Sequence, residues 1–380
     1  MAKTVKRAYK YRFYPSAEQE QELARTFGCV RYVYNRALAE RSRAYTQEQK
    51  RIGYAESARW LAVWRHDPET EWLSETASVP QQQAIRQLQT AFLNFWSKRS
   101  KYPKFKSRHK SRASATYTTF GFSYRDGQIK LAKMKESLDI RWSRPLPDGS
   151  EPSQVTVSKD SAGRYHISIL VETTVEMDSP VTGSVGIDAG ITSLLTESTG
   201  TKHINPKHEQ RERDRLAKYQ RRLAHKQKGS KNRERARLKV ARIHARIADR
   251  RRDNLHKITT NLIRENQTVM IEDLAVRNMV KNHSLARAIS DAGWSQFRSM
   301  LEYKAEWYGR EVIAIDRFYP SSKTCSACGH LLAKMPLQIR EWTCPGCGVI
   351  HDRDVNAAKV IQAVGLTVSA CGDGVRLPST

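Results

Sequence analysis

The sequence predicts a multidomain α+β chain, in which a mainly helical segment and an antiparallel β-barrel or sandwich precede a strand–helix segment that carries a late metal-binding insert. Three observations predict it. Hydrophobic spacing changes along the 380 residues from helical repeats, to short strands with turn signals, to apolar strands separated by long helices. Two CxxC pairs, Cys325/Cys328 and Cys344/Cys347, stand 15 residues apart near the C-terminus, and each CxxC turn aims two sulfurs at one tetrahedral metal in the manner of a four-thiolate zinc ribbon. Finally, 66 Lys and Arg against 39 Asp and Glu leave a net charge of +27, which favours a polyanionic partner because each phosphate contact releases condensed counterions. Hydrophobic residues make up 39%, enough for real cores, so the chain reads as globular and not as a basic tail.

Thr4 to Phe13 alternate, with Val5, Tyr9, Tyr11 and Phe13 on one face and Lys6, Lys10 and Arg12 on the other, which is a basic strand. Ser16 with Gln19 then forms a capping box, and Leu23, Phe27, Val30, Tyr34 and Leu38 follow at helical spacing. Further helices are predicted around Trp60 to Trp64 and from Pro80 to Trp96. From Lys98 to Arg112 eight cations, among them Lys104, Lys106 and Arg108, interleave with Tyr102 and Phe105 and with no acid. Cations for phosphates and rings for bases suit single-stranded nucleic acid; a solvated linker is the competing reading. Turn signals at Asp126-Gly127, Asp148-Gly149 and Asp160 to Gly163 then punctuate short strands, and the initial strand is placed to complete their sheet.

Beyond Pro180 to Gly183, Val185 to Gly190 reads as a buried strand ending in a turn, with Ser193 to Thr199 as its hairpin partner. Lys202 to Lys257 holds 21 Lys and Arg against 6 acids, so +15 of the whole +27 lies there. Two helices broken near Gly229-Ser230 are predicted, the first bearing Arg221 and Arg222, the second with Leu238, Ala241, Ala245, Ala248, Leu255, Ile258 and Leu262 at roughly heptad spacing. A strand at Thr268 to Leu274, a helix with Trp294, Phe297, Leu301 and Tyr308, a strand at Glu311 to Asp316, the cysteine insert and a last helix opened by Asp354 complete the chain. That order of elements is the order of a ribonuclease H-like domain.

Asp188 and Glu272 each interrupt an apolar strand, and a lone buried carboxylate is costly without a cation, a hydrogen-bond shell or a metal. With Asp354 they could hold two magnesium ions about 4 Å apart for phosphodiester hydrolysis. Each acid also has an innocent reading as a turn former, an arginine partner or an N-cap, and Asp273 and Asp352 are the nearest competitors. The four cysteines read as structural zinc in preference to a redox pair. Cys29 and Cys371 are too far apart in sequence to suggest a disulfide framework, no apolar run approaches a membrane span, and the N-terminus has no apolar core of a leader, so the expected location is the cytoplasm.

Several stretches together resemble the TnpB (OrfB-type) proteins of insertion sequences, relatives of the type V CRISPR nucleases: Val185 to Asp188, Ile271 to Leu274, Trp307 to Arg310, Pro320 to Cys325, the second CxxC and Asp352 to Ala358. The resemblance implies a helical recognition domain at 14–112, set into a β-barrel wedge domain at 1–13 plus 113–180. It also implies a RuvC-type nuclease domain at 183–319 plus 351–380 and a zinc ribbon at 320–350 that binds target nucleic acid. By the same resemblance, Asp188, Glu272 and Asp354 are the catalytic magnesium ligands and Cys325, Cys328, Cys344 and Cys347 the zinc ligands. Lys104, Lys106, Arg108, Arg221, Arg222 and Lys323 are assigned to nucleic-acid contact. The implied activity is RNA-guided cleavage of double-stranded target DNA next to a short motif, with a noncoding guide RNA from the transposon end and one protein chain per RNA. A transposase and a guided or unguided binding regulator are the alternatives. Val360 stands where that family often has Asn.

Overall fold

The computed structural model describes residues 2–176, 180–336 and 338–370, so the expectation for Cys371 lies outside the described residues. Two compact units emerge, one from Thr4 to Thr174 and one from Val175 onward.

In the first unit, strand β1 (Ala2–Phe13) leads into helix α1 (Ala17–Glu48). Ser16 and Gln19 form the predicted box, each side chain accepting from the other's backbone N–H. Helices α2 (Tyr54–His66) and α3 (Ser78–Trp96) follow, joined by a 3-10 turn at Glu71–Glu75. Then come β2 (Ala113–Thr118), β3 (Phe122–Arg125), β4 (Gln128–Leu131), β5 (Ile140–Arg141), β6 (Pro152–Lys159) and β7 (Tyr165–Glu176). The β3–β4 hairpin turns through Asp126 (φ 48°) and Gly127 (φ 75°), both left-handed, as a two-residue turn of this twist requires.

The larger sheet has the order β2-β6-β7-β1-β5, so the initial strand does join it. It departs from a closed barrel: among the described residues β3 and β4 pair with each other alone, and β5, two residues long, offers too little edge to close the sheet on β2. Tyr11 and Phe13 of β1, Leu23 and Val33 of α1, Leu88 of α3 and Ile167 of β7 share one apolar core. The helical and β segments, assigned to separate domains from sequence, thus pack as one unit, because the inner faces of α1 and α3 and of the sheet are buried against each other.

The second unit begins with β8 (Ser184–Ala189), β9 (Ser193–Glu197) and β10 (Lys202–Ile204). Helices α4 (His208–Ala224) and α5 (Lys231–Glu265) are separated at Gly229 (φ 85°), and Ser230 caps α5 by accepting from the Arg233 N–H. The remainder is β11 (Thr268–Glu272), α6 (Val276–Met279), α7 (Ala286–Ala292), α8 (Trp294–Tyr308), β12 (Glu311–Ile315), β13 (Glu341–Thr343), β14 (Ile350–Asp352) and α9 (Arg353–Ala370).

Its main sheet runs β10-β9-β8-β11-β12, with β8 antiparallel to β9 and parallel to β11, and β11 parallel to β12. Alternation along β11 sends Val269 and Ile271 into a core with Leu262 of α5 and Leu301 of α8, and Met270 into a second core with Ile361 of α9. Helix α9 lies so close to the sheet that a Cβ on Gly186 would stand 2.0 Å from the Ala358 carbonyl oxygen, and one on Gly365 2.3 Å from Met270. Gln362 fixes the register of this contact by donating to the Ser184 carbonyl and hydroxyl oxygens at 2.7 and 2.9 Å.

The heptad pattern read in α5 is only half right. Leu255, Ile258 and Leu262 are buried as expected, but Ile243 and Ile247, not Ala245 and Ala248, meet Leu216 of α4. The larger side chains take the seam because they remove more apolar area from water. No helix among the described residues is long and apolar enough to cross a membrane.

Candidate metal centres and basic surfaces

The parallel register that sets Ile187 beside Ile271 puts the next residues, Asp188 and Glu272, side by side at the carboxyl ends of β8 and β11. Since Ile187 and Ile271 face the α5–α8 core, strand alternation turns both carboxylates toward the α9 face. There α9 begins, with Asp354 in its first turn. Burial, and then the charges of Glu272 and Asp354, push the Asp188 carboxyl up to about 8, with Arg353 and Arg340 pulling the other way. Three acids from segments far apart in sequence are therefore within electrostatic reach, and none of the ion pairs seen among the described residues neutralises Asp188 or Glu272. Glu272 accepts from the buried Ser321 hydroxyl at 2.6 Å, and Asp354 lies 3.5 Å from the exposed guanidinium of Arg340.

The competing acids are engaged elsewhere. Asp273 is bridged by Arg298 and Arg317; burial works to raise its carboxyl, but the two guanidiniums outweigh it and hold it below the usual range. Asp352 caps α9 by accepting from the Val355 N–H at 2.9 Å and pairs with Lys202 at 2.6 Å. Burial again works upward there, and those bonds hold the carboxyl low. The N-cap function considered for Asp354 thus belongs to Asp352, leaving Asp354 free of it.

Among the described residues, Cys325, Cys328, Cys344 and Cys347 are the one set of three or more metal-ligating side chains whose donor atoms all lie within 4.8 Å of one another. Two near-identical knuckles place them. In each, the first cysteine's N–H reaches forward (Cys325 to the His330 carbonyl, Cys344 to the Val349 carbonyl, both 2.9 Å) and a left-handed glycine, Gly329 or Gly348, donates back to that cysteine's carbonyl. Four thiolates in this arrangement suit a tetrahedral zinc ion and leave it no open position.

The knuckles are tied to α9. Asn356, 1% exposed, accepts from the Ser326 N–H at 2.8 Å and donates to the Thr324 carbonyl at 2.7 Å. His351 places Nε2 3.0 Å from Cys325 Sγ, with its ring tilted against that of Trp342 at 4.9 Å, a contact of the kind that orients metal ligands. Sequence reasoning assigned no function to Ser321, Asn356 or His351, although each stands in a matched stretch or beside one. Their signal was position: a polar residue just before the first cysteine, two just around Asp354. Val360 is buried and apolar, so the polar tie at this end of α9 rests on Asn356.

The basic residues divide. Lys104, Arg108, Arg221 and Arg222 are exposed. Lys106 turns its ammonium over the Tyr34 ring at 4.0 Å, and burial lowers its pKa. Lys323 is half-buried and points toward the Ala333 carbonyl. Tyr102, read as a stacking platform, packs edge-on against Phe92 and Phe95 and bonds Ser42 through its hydroxyl at 2.7 Å, while Phe105 stays 62% exposed.

Comparison with known proteins places these features. A family model described as "Probable transposase" matches residues 166–283, a Cas12f1-like TNB domain model matches 294–361, and a helix-turn-helix domain model matches 1–50. In this chain the last of these segments is a strand followed by a single 32-residue helix. A protein of Streptomyces pristinaespiralis named "Putative RNA-guided DNA endonuclease" is 62% identical over 99% of this chain and 93% of its own length. "Putative RNA-guided DNA endonuclease InsQ" of Escherichia coli K12 is 35% identical over 97% and 94%. The protein chain of a Cas12f1–sgRNA–target DNA complex superposes with a TM-score of 0.58 at 15% identity, covering 94% of this chain and 99% of that one, which is a shared mixed α and β fold.

Proposed function

This chain belongs to the TnpB-type family of insertion-sequence proteins related to Cas12f, and from that membership we propose that it is an RNA-guided DNA endonuclease that cuts beside a short adjacent motif through Asp188, Glu272 and Asp354. The observation that carries the catalytic assignment is the convergence of three half-buried carboxylates where β8, β11 and α9 meet, with neither Asp188 nor Glu272 in an ion pair seen among the described residues. Such a cluster is costly unless a cation occupies it. An oxygen-only donor set with this charge fits magnesium. Magnesium, when bound, supplies the positive charge that activates the attacking water and stabilises the leaving oxygen of the phosphodiester.

The chain's own groups do the rest. Ser321 holds one Glu272 oxygen and leaves the other free to ligate. Asp354 stands in the first turn of α9, where the positive end of the helix dipole faces the site. Asn356 fixes that helix end to the cysteine knuckles, so that the zinc ribbon and the cutting site move as one. Base pairing with a guide RNA from the transposon end supplies target choice, and the +27 charge matches RNA and DNA together. The recognition, wedge and RuvC assignments follow the same family logic, with β10-β9-β8-β11-β12 as the nuclease sheet.

The "Probable transposase" description of the matching family favours strand transfer as the second reading. One reaction separates them: the protein purified with co-expressed transposon-end RNA, magnesium, a motif-bearing plasmid and a DNA fragment that carries both transposon ends. Guided cleavage predicts linear plasmid only when guide and target match. Joined transposon ends, formed without regard to the guide, would establish the transposase instead.

A further inference from the structure

Gly28 lies inside α1, where glycine weakens a helix relative to alanine. Packing does not require it. A Cβ there would meet nothing within 4 Å, in contrast to the tight approaches at Gly186 and Gly365. The bare backbone instead lines an open cavity of about 680 Å³ within the first unit.

The other walls have a consistent chemistry. Three rings line the cavity, Tyr32 half-buried and the other two exposed, Phe105 at 62% and Trp72 at 38%. Both are held in place. Asn35 clamps the backbone of Lys106 from both sides, accepting from its N–H and donating to its carbonyl at 2.8 Å each, which fixes Phe105 on an otherwise irregular segment. Tyr32 braces Trp72 edge-on at 5.0 Å. Arg25 and Arg31 supply positive charge, and the single acid lining the cavity, Glu75, meets Arg25 only through an exposed 3.8 Å pair that a phosphate can replace.

Fixed exposed rings, flanking guanidiniums and a helix surface stripped of its side chain are what one unstacked nucleotide needs: π-faces for the base and cations for the phosphate. We infer that this cavity takes up a single unstacked nucleotide of a nucleic-acid strand, its base against Phe105, Trp72 and the Gly28 backbone, its phosphate at Arg25 and Arg31. The inference rests on the nucleic-acid reading of the preceding section and adds a site to it, remote in sequence from the carboxylates. RNA and DNA strands share the chemistry required.

The test uses the full-length protein with fluorescent single-stranded RNA and single-stranded DNA of equal length, comparing Gly28→Leu and Phe105→Ala with wild type. Gly28→Leu fills the cavity with a good helix former, so the melting temperature of the free protein is expected to rise while affinity falls roughly tenfold for at least one strand. Phe105→Ala, at an exposed site, is expected to lose affinity without loss of melting temperature. Weakening with RNA alone assigns the site to the guide, and weakening with DNA alone to the target; either supports the site. If both variants bind both strands within twofold of a tightly binding wild type, the cavity is not a nucleotide site and the nuclease reading stands. If wild type binds neither strand, the nucleic-acid reading fails and takes this inference with it.

Discussion

The four cysteines and the three carboxylates are both sets of groups able to ligate a metal, yet the chain builds them in opposite ways. The thiol set is local: two knuckles, each closed by its own backbone bonds and a left-handed glycine, bring four sulfurs within 4.8 Å of one another. The carboxylate set is assembled by topology, from the ends of two strands and the start of a helix far along the chain, where burial and the charges of Glu272 and Asp354 push the Asp188 carboxyl up. A site that holds a structural ion can be closed and neutral in its demands. The set proposed to do chemistry keeps Asp188 and Glu272 outside the ion pairs seen among the described residues, and the sheet and α9 hold them in place.

This contrast can be broken at the ribbon first. Cys344→Ser removes one of four ligands from the closed site, and zinc bound per chain is expected to fall from about one to near zero, because structural zinc and local folding are a single equilibrium. Limited proteolysis should then cut within residues 325–347, and an intact ribbon without zinc would mean the knuckles stand alone.

The joint between the two sites is the next test. Asn356→Ala leaves the Ser326 N–H and Thr324 carbonyl without their partner, a loss of about 1–3 kcal/mol. Cleavage is expected to drop roughly tenfold or more on that scale while bound zinc stays stoichiometric. Unchanged cleavage would show that the ribbon does not position Asp354.

The smallest effect sharpens the choice among acids. Asp352→Ala removes the α9 cap and a pair with Lys202, at a cost of about 1 kcal/mol in stability. Cleavage should stay within a few-fold of wild type once the protein is folded. A loss as deep as that of a triad variant would make Asp352 a metal ligand.

The same contrast explains what was legible in the sequence. Local devices were: the Ser16–Gln19 box, the break at Gly229-Ser230 and the CxxC knuckles are each written within a few residues. Asp188 and Glu272 were legible because an acid inside an apolar strand is conspicuous, and their neighbours in register follow from parallel pairing. What is not legible is long-range packing around a side chain. Tyr102 packs edge-on against Phe92 and Phe95 of α3 while staying 44% exposed. Lys106 sets its ammonium over the Tyr34 ring of α1, a contact that nothing nearby in sequence signals. In α5 the heptad count favoured alanines where α4 selects Ile243 and Ile247. Asp352 and Asp354 are two residues apart, and only the helix start distinguishes the cap from the candidate ligand.

Cleavage by Asp188→Ala tests the central claim most directly. With the co-expressed RNA, magnesium and a matching plasmid, target binding is expected to persist, and cutting to fall by at least about a thousandfold, in line with removing a group the transition state depends on. Plasmid cut at the wild-type rate by that variant would contradict the assignment of Asp188, Glu272 and Asp354 as the active site.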